Sequence, residues 1–206
     1  MAQWEAQSLG DFLRRIAIDY ARFGYTRYVL RDIPLDKDPA AIDQKIRAAY
    51  QVTSCRTARM RMKRQGKARV QYLRFRHSFV LLATEGTHEA FARLHSYDMK
   101  NAPLHFQGYS IGFKGSTVSV QVTSRVWRRT ERHMEDLIFQ PQSVVEEAIA
   151  SLPYYNFPGV VRQKQHLLHY VNQRRKVAGL QPVTFNPMEA KRHLLRGNHN
   201  AALVKR

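Results

Sequence analysis

Acidic residues are scarce in this sequence. Its 206 residues include 16 Asp and Glu against 34 Lys and Arg, which gives a formal net charge of +18. Between Asp43 and Glu85 there is no acidic residue at all. A protein this far from neutrality is attracted to polyanions, so DNA, RNA and anionic membrane surfaces are the partners to consider.

Cysteine is also scarce, because Cys55 is the only one in the sequence. A single cysteine excludes an internal disulfide and a zinc site built from several cysteines. It is compatible with a reducing compartment. We therefore expect a cytoplasmic protein, associated with the nucleoid or with ribonucleoprotein.

Long apolar runs are missing as well. The longest, from Phe79 to Ala83, suits a buried strand and is far shorter than the roughly 20 residues of a membrane-spanning helix. No signal-peptide pattern is present. We therefore expect no membrane partner, and no motif indicates a small-molecule substrate. The hydrophobic content of 44% and the aromatic content of 11% are typical of a folded globular protein.

The sequence does contain a dense basic segment, from Arg56 to Arg76, in which Tyr72 and Phe75 lie among arginines. Like charges this close repel one another, so we expect an anionic polymer to neutralise them. Nucleic-acid binding combines phosphate contacts by arginine and lysine with base stacking on aromatic rings. The predicted contacts in this segment are Arg56, Arg59, Arg61, Lys63, Arg64, Lys67, Arg69, Tyr72, Arg74 and Arg76.

The hydrophobic periodicity predicts the fold class. An amphipathic helix is predicted from Ser8 to Phe23, capped by Ser8. The basic segment is predicted to form a β-hairpin, with arms at residues 58–63 and 68–76 and a turn at 64–67. The other predicted strands are residues 25–33, 77–84, 104–113 and 117–122. This order predicts an α+β fold with one ferredoxin-like antiparallel sheet and helices on one of its faces.

Strand signals stop near Pro141, which predicts two domains, residues 1–140 and 141–206. The second is predicted to be a basic helical extension that ends in a mobile arm from Lys191 to Arg206. In this extension Arg162, Lys164, Arg174, Arg175 and Lys176 form a second predicted surface for nucleic acid.

An alternative interpretation involves chemistry. The run from Phe75 to Leu82 resembles the His-hydrophobe-His strand of the single-strand endonucleases that serve rolling-circle replication and insertion-sequence transposition. That resemblance implies a divalent metal on the strand histidines and a helical tyrosine as nucleophile, here His77 with Tyr170. Phe79 occupies the position of the second histidine. A metal set of His77, Glu85 and His88 is a further possibility for this alternative.

The favoured function is nevertheless binding. No complete catalytic motif is present, so the sequence favours a nucleic-acid-binding protein without a cofactor, and only the alternative requires a divalent metal. RNA is slightly favoured over DNA, because exposed basic and aromatic groups suit structured or single-stranded RNA. The expected partners are RNA or DNA within a larger nucleoprotein complex, where the protein is an accessory subunit of a ribonucleoprotein or mobile-element machine.

Overall fold

The architecture is mixed α+β, with two antiparallel sheets and seven α-helices among the residues that the structure describes. A computed structural model gives residues 4–52 and 56–184, and of Arg56 the backbone alone. Cys55 and the predicted arm from Lys191 to Arg206 lie outside these residues. The chain divides into two compact units: residues up to 104 with 111–119, and residues 105–110 with those from 120 onward. The domain boundary near Pro141 stays a prediction.

The N-terminal helix changes its winding along its length. It begins as α1 (Leu9–Arg14), continues as a π-helical stretch (Arg15–Tyr20) and ends as a 3₁₀ turn (Ala21–Phe23). The Ser8 hydroxyl caps its start by accepting a hydrogen bond from the backbone N–H of Asp11 at 3.1 Å. Gly24 ends it at a φ of 87°. The predicted cap and the predicted extent are thus confirmed, whereas periodicity did not indicate the change of winding.

The first unit is built on a four-stranded antiparallel sheet with the order β2-β3-β1-β4. Its strands are β1 (Arg27–Asp32), β2 (Val70–Phe75), β3 (Ser78–Ala83) and β4 (Tyr97–Asp98), and its helices are α2 (Pro39–Ala49), α3 (Arg56–Arg64) and α4 (Glu89–Ala92). Leu81 of β3 pairs with Val29 of β1 on one side and with Tyr72 of β2 on the other. The most hydrophobic predicted strand therefore lies inside the sheet, as expected.

Helices cover both faces of this sheet. On one face Tyr72 and Leu81 pack with Phe91 of α4 in a single buried cluster. On the other face Phe75 lies against Phe12 of α1, with the ring centroids 6.0 Å apart. Every residue of β2 is consequently buried. The prediction that helices lie on one face only is wrong for this sheet, because the N-terminal helix covers the second face.

A separate three-stranded sheet has the order β5-β6-β7. Its strands are β5 (Leu104–Phe106), β6 (Tyr109–Lys114) and β7 (Thr117–Val122). One strand was expected over residues 104–113, but Gln107 and Gly108 have positive φ angles of 43° and 83° and form the tight turn of a hairpin. The prediction of one continuous sheet is therefore wrong.

Three further helices follow: α5 (Ser124–Leu137), α6 (Gln142–Ala150) and α7 (Pro158–Val177). Trp127 and Met134 of α5 and Val171 of α7 are buried, so each of these helices packs an apolar face inward. Gly179, with a φ of 70°, closes α7. None of the described helices combines the length and the apolar character needed to cross a membrane.

Candidate nucleic-acid interface

The centre of the basic segment is the helix α3, so the predicted first hairpin arm is wrong. The alanine, arginine, methionine and lysine residues of α3 are strong helix formers, and β-branched residues are nearly absent from it. At its end the N–H of Gly66 donates to the carbonyl of Lys63 at 3.2 Å, and that of Lys67 donates to Met62 at 2.9 Å. These two bonds, with a φ of 65° at Gly66, form a Schellman cap. The Gln65-Gly66 pair is therefore a helix end and not a hairpin turn.

Most described cations of the basic segment are in contact with solvent. Arg61, Lys63, Arg64, Lys67 and Arg76 are exposed, and Arg59 and Arg69 are half-buried. Among the described residues, no carboxylate forms an ion pair with any of these side chains. The macrodipole favours positive charge in the last turn of α3, where Arg61, Lys63 and Arg64 lie. These charges therefore have no neutralising carboxylate within the described part of the chain.

The end of α3 borders a cleft of about 430 Å³ within the first unit. Three parts of the chain form most of its wall: the end of α3 and the following residues, the segment after β3, and the segment between the N-terminal helix and β1. Its lining residues include Ala21, Arg22, Gly24, Thr26, Lys63, Gly66, Lys67, Arg69, Thr84, Glu85, Gly86 and Lys100. The π-helical stretch leads into this wall, and such stretches are frequent beside functional sites.

Positive charge dominates the cleft, because five of its lining side chains are cationic and Glu85 is the one acid among them. The carboxylate of Glu85 lies 3.5 Å from the ammonium of Lys100, so it offsets the charge of Lys100 more than that of the other four cations. The hydroxyl oxygen of Thr26 is buried and has no hydrogen-bond partner among the described residues. Phe23, next to the lining residue Arg22, is 65% exposed. The cleft thus presents groups that bind phosphates, and an exposed aromatic ring follows the lining residue Arg22 in the chain.

A short parallel bridge between Lys67 and Thr87 holds two of these walls together. The N–H of Thr87 donates to the carbonyl of Gly66 at 3.1 Å, and Thr87 accepts from the N–H of Ala68 at 2.9 Å. Gly86 permits this close approach. A Cβ at Gly86 would lie 2.6 Å from the oxygen of Gly66, and its φ of 123° is one that other residues rarely adopt.

Substitution of Gly86 by alanine is expected to lower the free energy of unfolding by about 2–4 kcal/mol, because backbone overlap adds to an unfavourable φ. Gly66→Ala is the matched control: its φ is also positive, but an added Cβ meets nothing within 4 Å. We expect a loss of about 1 kcal/mol there. Urea unfolding of both variants measures the difference. Equal small losses would mean that the backbone around Gly86 shifts at little energetic cost to accommodate a Cβ.

Two predicted contacts, Tyr72 and Arg74, are buried beside Asp43 of α2. Their side chains belong to residues only 1% and 8% exposed, and Asp43 is 3% exposed. The carboxylate of Asp43 accepts hydrogen bonds from the Tyr72 hydroxyl at 2.5 Å, from Nε of Arg74 at 2.9 Å and from the Trp4 indole at 3.2 Å. Burial, together with the bond to Asp43, raises the pKa of Tyr72. These groups hold α2 against β2 and offer little surface to a ligand.

Lys164 of α7, another predicted contact, is completely buried in the second unit. Its ammonium donates to the side-chain oxygen of Asn156 at 3.1 Å and to the carbonyl of Tyr154 at 3.4 Å. No carboxylate of the described residues pairs with it. Burial of the charge therefore lowers the pKa of Lys164 to about 8.

This buried lysine makes stability depend on pH. From about pH 8 to its ordinary pKa of 10.5, the unfolded chain binds more protons at Lys164 than the folded one, so this group's contribution to stability rises with pH. Lys164→Met removes the buried charge and is expected to raise the free energy of unfolding by about 1–2 kcal/mol at pH 7. The gain should fade toward pH 10. Denaturation at both pH values checks this, and Lys176→Met, at an exposed site, should change little.

A stability loss in Lys164→Met at pH 7 would contradict this account. It would mean that the two hydrogen bonds of the ammonium outweigh the cost of burying its charge.

Arg175 of α7 is 2% exposed and is also a structural cation. Its Nη1 donates to the carbonyls of Ile138 at 2.5 Å and Gln140 at 2.8 Å, and its Nε donates to Gln181 at 2.7 Å. A helix end leaves carbonyl groups without partners, and a cation there satisfies them and complements the dipole. Arg175 thus fixes the end of α5 and is directed into the protein.

The remaining cations of the second unit lie on two helices. Arg162, Arg174 and Lys176 of α7 are exposed, but at about 100° per residue Arg174 points away from the other two, and Arg162 and Lys176 lie near opposite ends of the helix. On α5, the side chains of Arg125, Arg128, Arg129 and Arg132 are exposed. Their spacing of i, i+3, i+4 and i+7 aligns them on one face. This arginine stripe is absent from the predicted contacts, although its spacing can be recognised in the sequence.

Glu85 and His88 of the predicted metal set have other partners. Nδ1 of His88 accepts a hydrogen bond from the N–H of Phe91 at 3.2 Å and so caps α4, and its Nε2 lies 3.2 Å from the carbonyl of Tyr50. Since Nδ1 accepts, Nε2 carries the proton and donates. Within residues 4–52 and 56–184, no three His, Cys, Asp or Glu side chains are grouped as a metal site.

The predicted catalytic pair belongs to different units. His77 lies in the turn between β2 and β3, and its buried Nδ1 has no hydrogen-bond partner in the described part of the chain. Tyr170 of α7 donates to the carboxylate of Glu135 at 3.0 Å, and this bond raises the pKa of Tyr170. A raised pKa disfavours the phenolate that a nucleophile needs.

Compared with known proteins, the chain matches no family model and no curated protein. Its function therefore has to be inferred from the charges, the cleft and the contacts of its own residues.

Proposed function

We propose that the protein binds nucleic acid through phosphate contacts made by α3 and the residues that follow it. One observation carries this proposal: the cations of this segment are exposed or half-exposed and have no ion-pair partner among the described carboxylates. Such a surface repels itself, and a phosphate backbone relieves that repulsion. Release of the counterions bound to the nucleic acid then supplies affinity without reading the base sequence.

The proposed contacts are a subset of those predicted. They are Arg59, Arg61, Lys63, Arg64, Lys67, Arg69 and Arg76. Tyr72, Arg74, Lys164 and Arg175 are left out because their hydrogen bonds and burial assign them to the interior. The arginine stripe of α5 replaces α7 as the proposed second contact surface, since its four guanidinium groups share one exposed face.

We also propose that the first unit is ferredoxin-like. Its order along the chain, β1, two helices, β2, β3, α4 and β4, and its antiparallel strand order β2-β3-β1-β4 support this. Fold alone does not establish function. Binding on an open sheet face requires exposed side chains on the central strands, whereas helices cover both faces here. The proposed interface is therefore a helix and a cleft beside the sheet.

RNA remains the favoured ligand over DNA, because single-stranded and structured RNA expose bases and phosphates together. A role as an accessory subunit of a ribonucleoprotein or mobile-element complex is proposed on the same ground.

A titration against single-stranded RNA, single-stranded DNA and duplex DNA ranks the ligands. The same samples, with and without magnesium on a denaturing gel, show whether any strand is cleaved.

Neutralising α3 tests the proposal. The triple variant Arg61→Gln, Lys63→Gln and Arg64→Gln keeps good helix formers and removes three phosphate contacts. Each contact contributes about 0.7 to the dependence of log affinity on log salt for a single strand, so we expect roughly 100-fold weaker binding at 0.1 M salt. Fluorescence anisotropy with a labelled strand measures this loss.

The matched control removes the same charge elsewhere. Arg31, Lys37 and Lys114 are exposed cations of the first unit that lie outside α3 and the cleft. Their triple replacement by glutamine should weaken binding by less than about fivefold, as expected for a change in net charge alone. If the two triple variants bind equally well, the interface does not lie on α3.

A further inference from the structure

We propose that the cleft beside α3 holds one unpaired nucleotide of a single strand, with its phosphate on the cations and its base against Phe23. This inference rests on the proposed function and specifies its ligand. The cleft, with a volume of about 430 Å³, is far too small to enclose a duplex. It falls in the range of about 300–1,000 Å³ that is typical of sites for single small molecules, which includes one nucleotide.

The charges of the cleft fit a phosphate. Lys63 and Lys67 line it from the end of α3, and Arg69 follows them in the same wall. The guanidinium of Arg69 lies 5.2 Å from the centre of the Tyr25 ring, which fixes its position beside the cleft. Flexible ammonium groups beside a positioned guanidinium are a common arrangement around phosphate oxygens.

The hydroxyl of Thr26 is the second observation that indicates a ligand. Thr26 lines the cleft and is 3% exposed, and its oxygen has no hydrogen-bond partner among the described residues. Buried polar atoms without partners are uncommon and costly, and each one calls for an explanation. Because Thr26 lines the cleft, a phosphate or sugar oxygen bound there would satisfy this hydroxyl.

The base site is inferred from Phe23. This residue lies between Arg22 and Gly24, both of which line the cleft, yet 65% of Phe23 is exposed. An exposed phenylalanine gains by stacking on a base, and stacking tolerates any base. Only an unpaired nucleotide offers a free base and a phosphate at the same place, because a duplex keeps its bases stacked inside. The site therefore selects single strands.

The experiment compares a labelled single strand with the duplex of the same sequence. Phe23→Ala is expected to weaken single-strand binding at least fivefold and duplex binding less than twofold, and Thr26→Val should weaken single-strand binding about threefold. Lys67→Gln removes a phosphate contact and should weaken binding of both ligands about fivefold. Phe139→Ala, at an aromatic residue that is 59% exposed in the second unit, is the matched control and should change neither. Urea unfolding confirms that each variant is folded.

Binding of a single nucleotide tests the cleft independently of polymer binding by α3. Adenosine monophosphate should shift the NMR signals of the Phe23 ring, and inorganic phosphate should compete with it. Normal polymer binding with unchanged selectivity in Phe23→Ala, and no shift of the ring signals, would overturn the nucleotide site alone. Failure of the wild-type protein to bind any strand at low salt would overturn both proposals.

Discussion

Replacing Asp43 with alanine is expected to lower the free energy of unfolding by about 3–5 kcal/mol. The substitution removes the acceptor for the Tyr72 hydroxyl and for Nε of Arg74, both of which are buried. It leaves a guanidinium that is 9% exposed with Glu5, whose side chain is 40% exposed, as its remaining ion-pair partner. A buried donor that loses its acceptor keeps its full desolvation cost. Urea denaturation followed by circular dichroism measures the loss.

Two further variants show whether the effect arises from the buried network. Asp43→Asn keeps one acceptor oxygen and removes the charge, so we expect about half of the loss. Asp36→Ala removes an exposed carboxylate that lies 3.3 Å from Lys37 and should cost less than about 1 kcal/mol. A loss below about 1 kcal/mol in Asp43→Ala would contradict the assignment of Arg74 and Tyr72 to the interior.

The second large effect is expected at Arg175. Arg175→Met preserves much of the side-chain volume and removes the donors for the carbonyls of Ile138, Gln140 and Gln181. Hydrogen bonds from a charged group contribute about 1.5–3 kcal/mol each, partly offset by the cost of burying the guanidinium. We expect a net loss of about 3 kcal/mol in the free energy of unfolding.

Arg174→Met is the matched control for Arg175, because the neighbouring arginine is exposed on the same helix. A surface substitution of this kind should change stability by less than about 0.5 kcal/mol. If Arg175→Met also stays within that limit while it reduces nucleic-acid binding, Arg175 contacts the ligand and not the helix end.

Local signals in the sequence were sufficient for several elements. Ser8 and Asp38 accept hydrogen bonds from the N–H groups of the helices that follow them, as their capping positions predict. Gly24 and Gly179 end helices with positive φ angles. Trp127 and Met134 of α5 and Leu167 and Val171 of α7 are buried, whereas Val177 at the end of α7 is 89% exposed. Apart from Val177, one short-range rule agrees with the tertiary packing in each of these cases.

Two errors in the predicted fold arise where a local sequence pattern is compatible with two different local conformations. A glycine after polar residues marks a hairpin turn or a helix end, and Gly66 closes α3. Gln107 adopts a positive φ, which is uncommon for a residue with a side chain. Gly108 was therefore the one residue in the sequence that indicated the turn between β5 and β6. The pairing of strands in two sheets depends on long-range contacts that periodicity does not contain.

The candidate site is predictable in its charge and not in its geometry. The absence of acidic residues between Asp43 and Glu85 marks the basic segment directly. Burial cannot be deduced from charge alone, because Arg74 and Arg175 are turned inward by partners far away in the sequence. The cleft likewise joins Arg22, Lys67 and Lys100, which only the fold brings together.

The salt dependence of binding tests the central claim most directly. For a single strand and about six phosphate contacts, the slope of log affinity against log salt should be about −4 to −5 for the wild-type protein. In the variant with Arg61, Lys63 and Arg64 replaced by glutamine it should become shallower by about 2. A wild-type slope near zero, or one that this variant leaves unchanged, would contradict phosphate binding by α3.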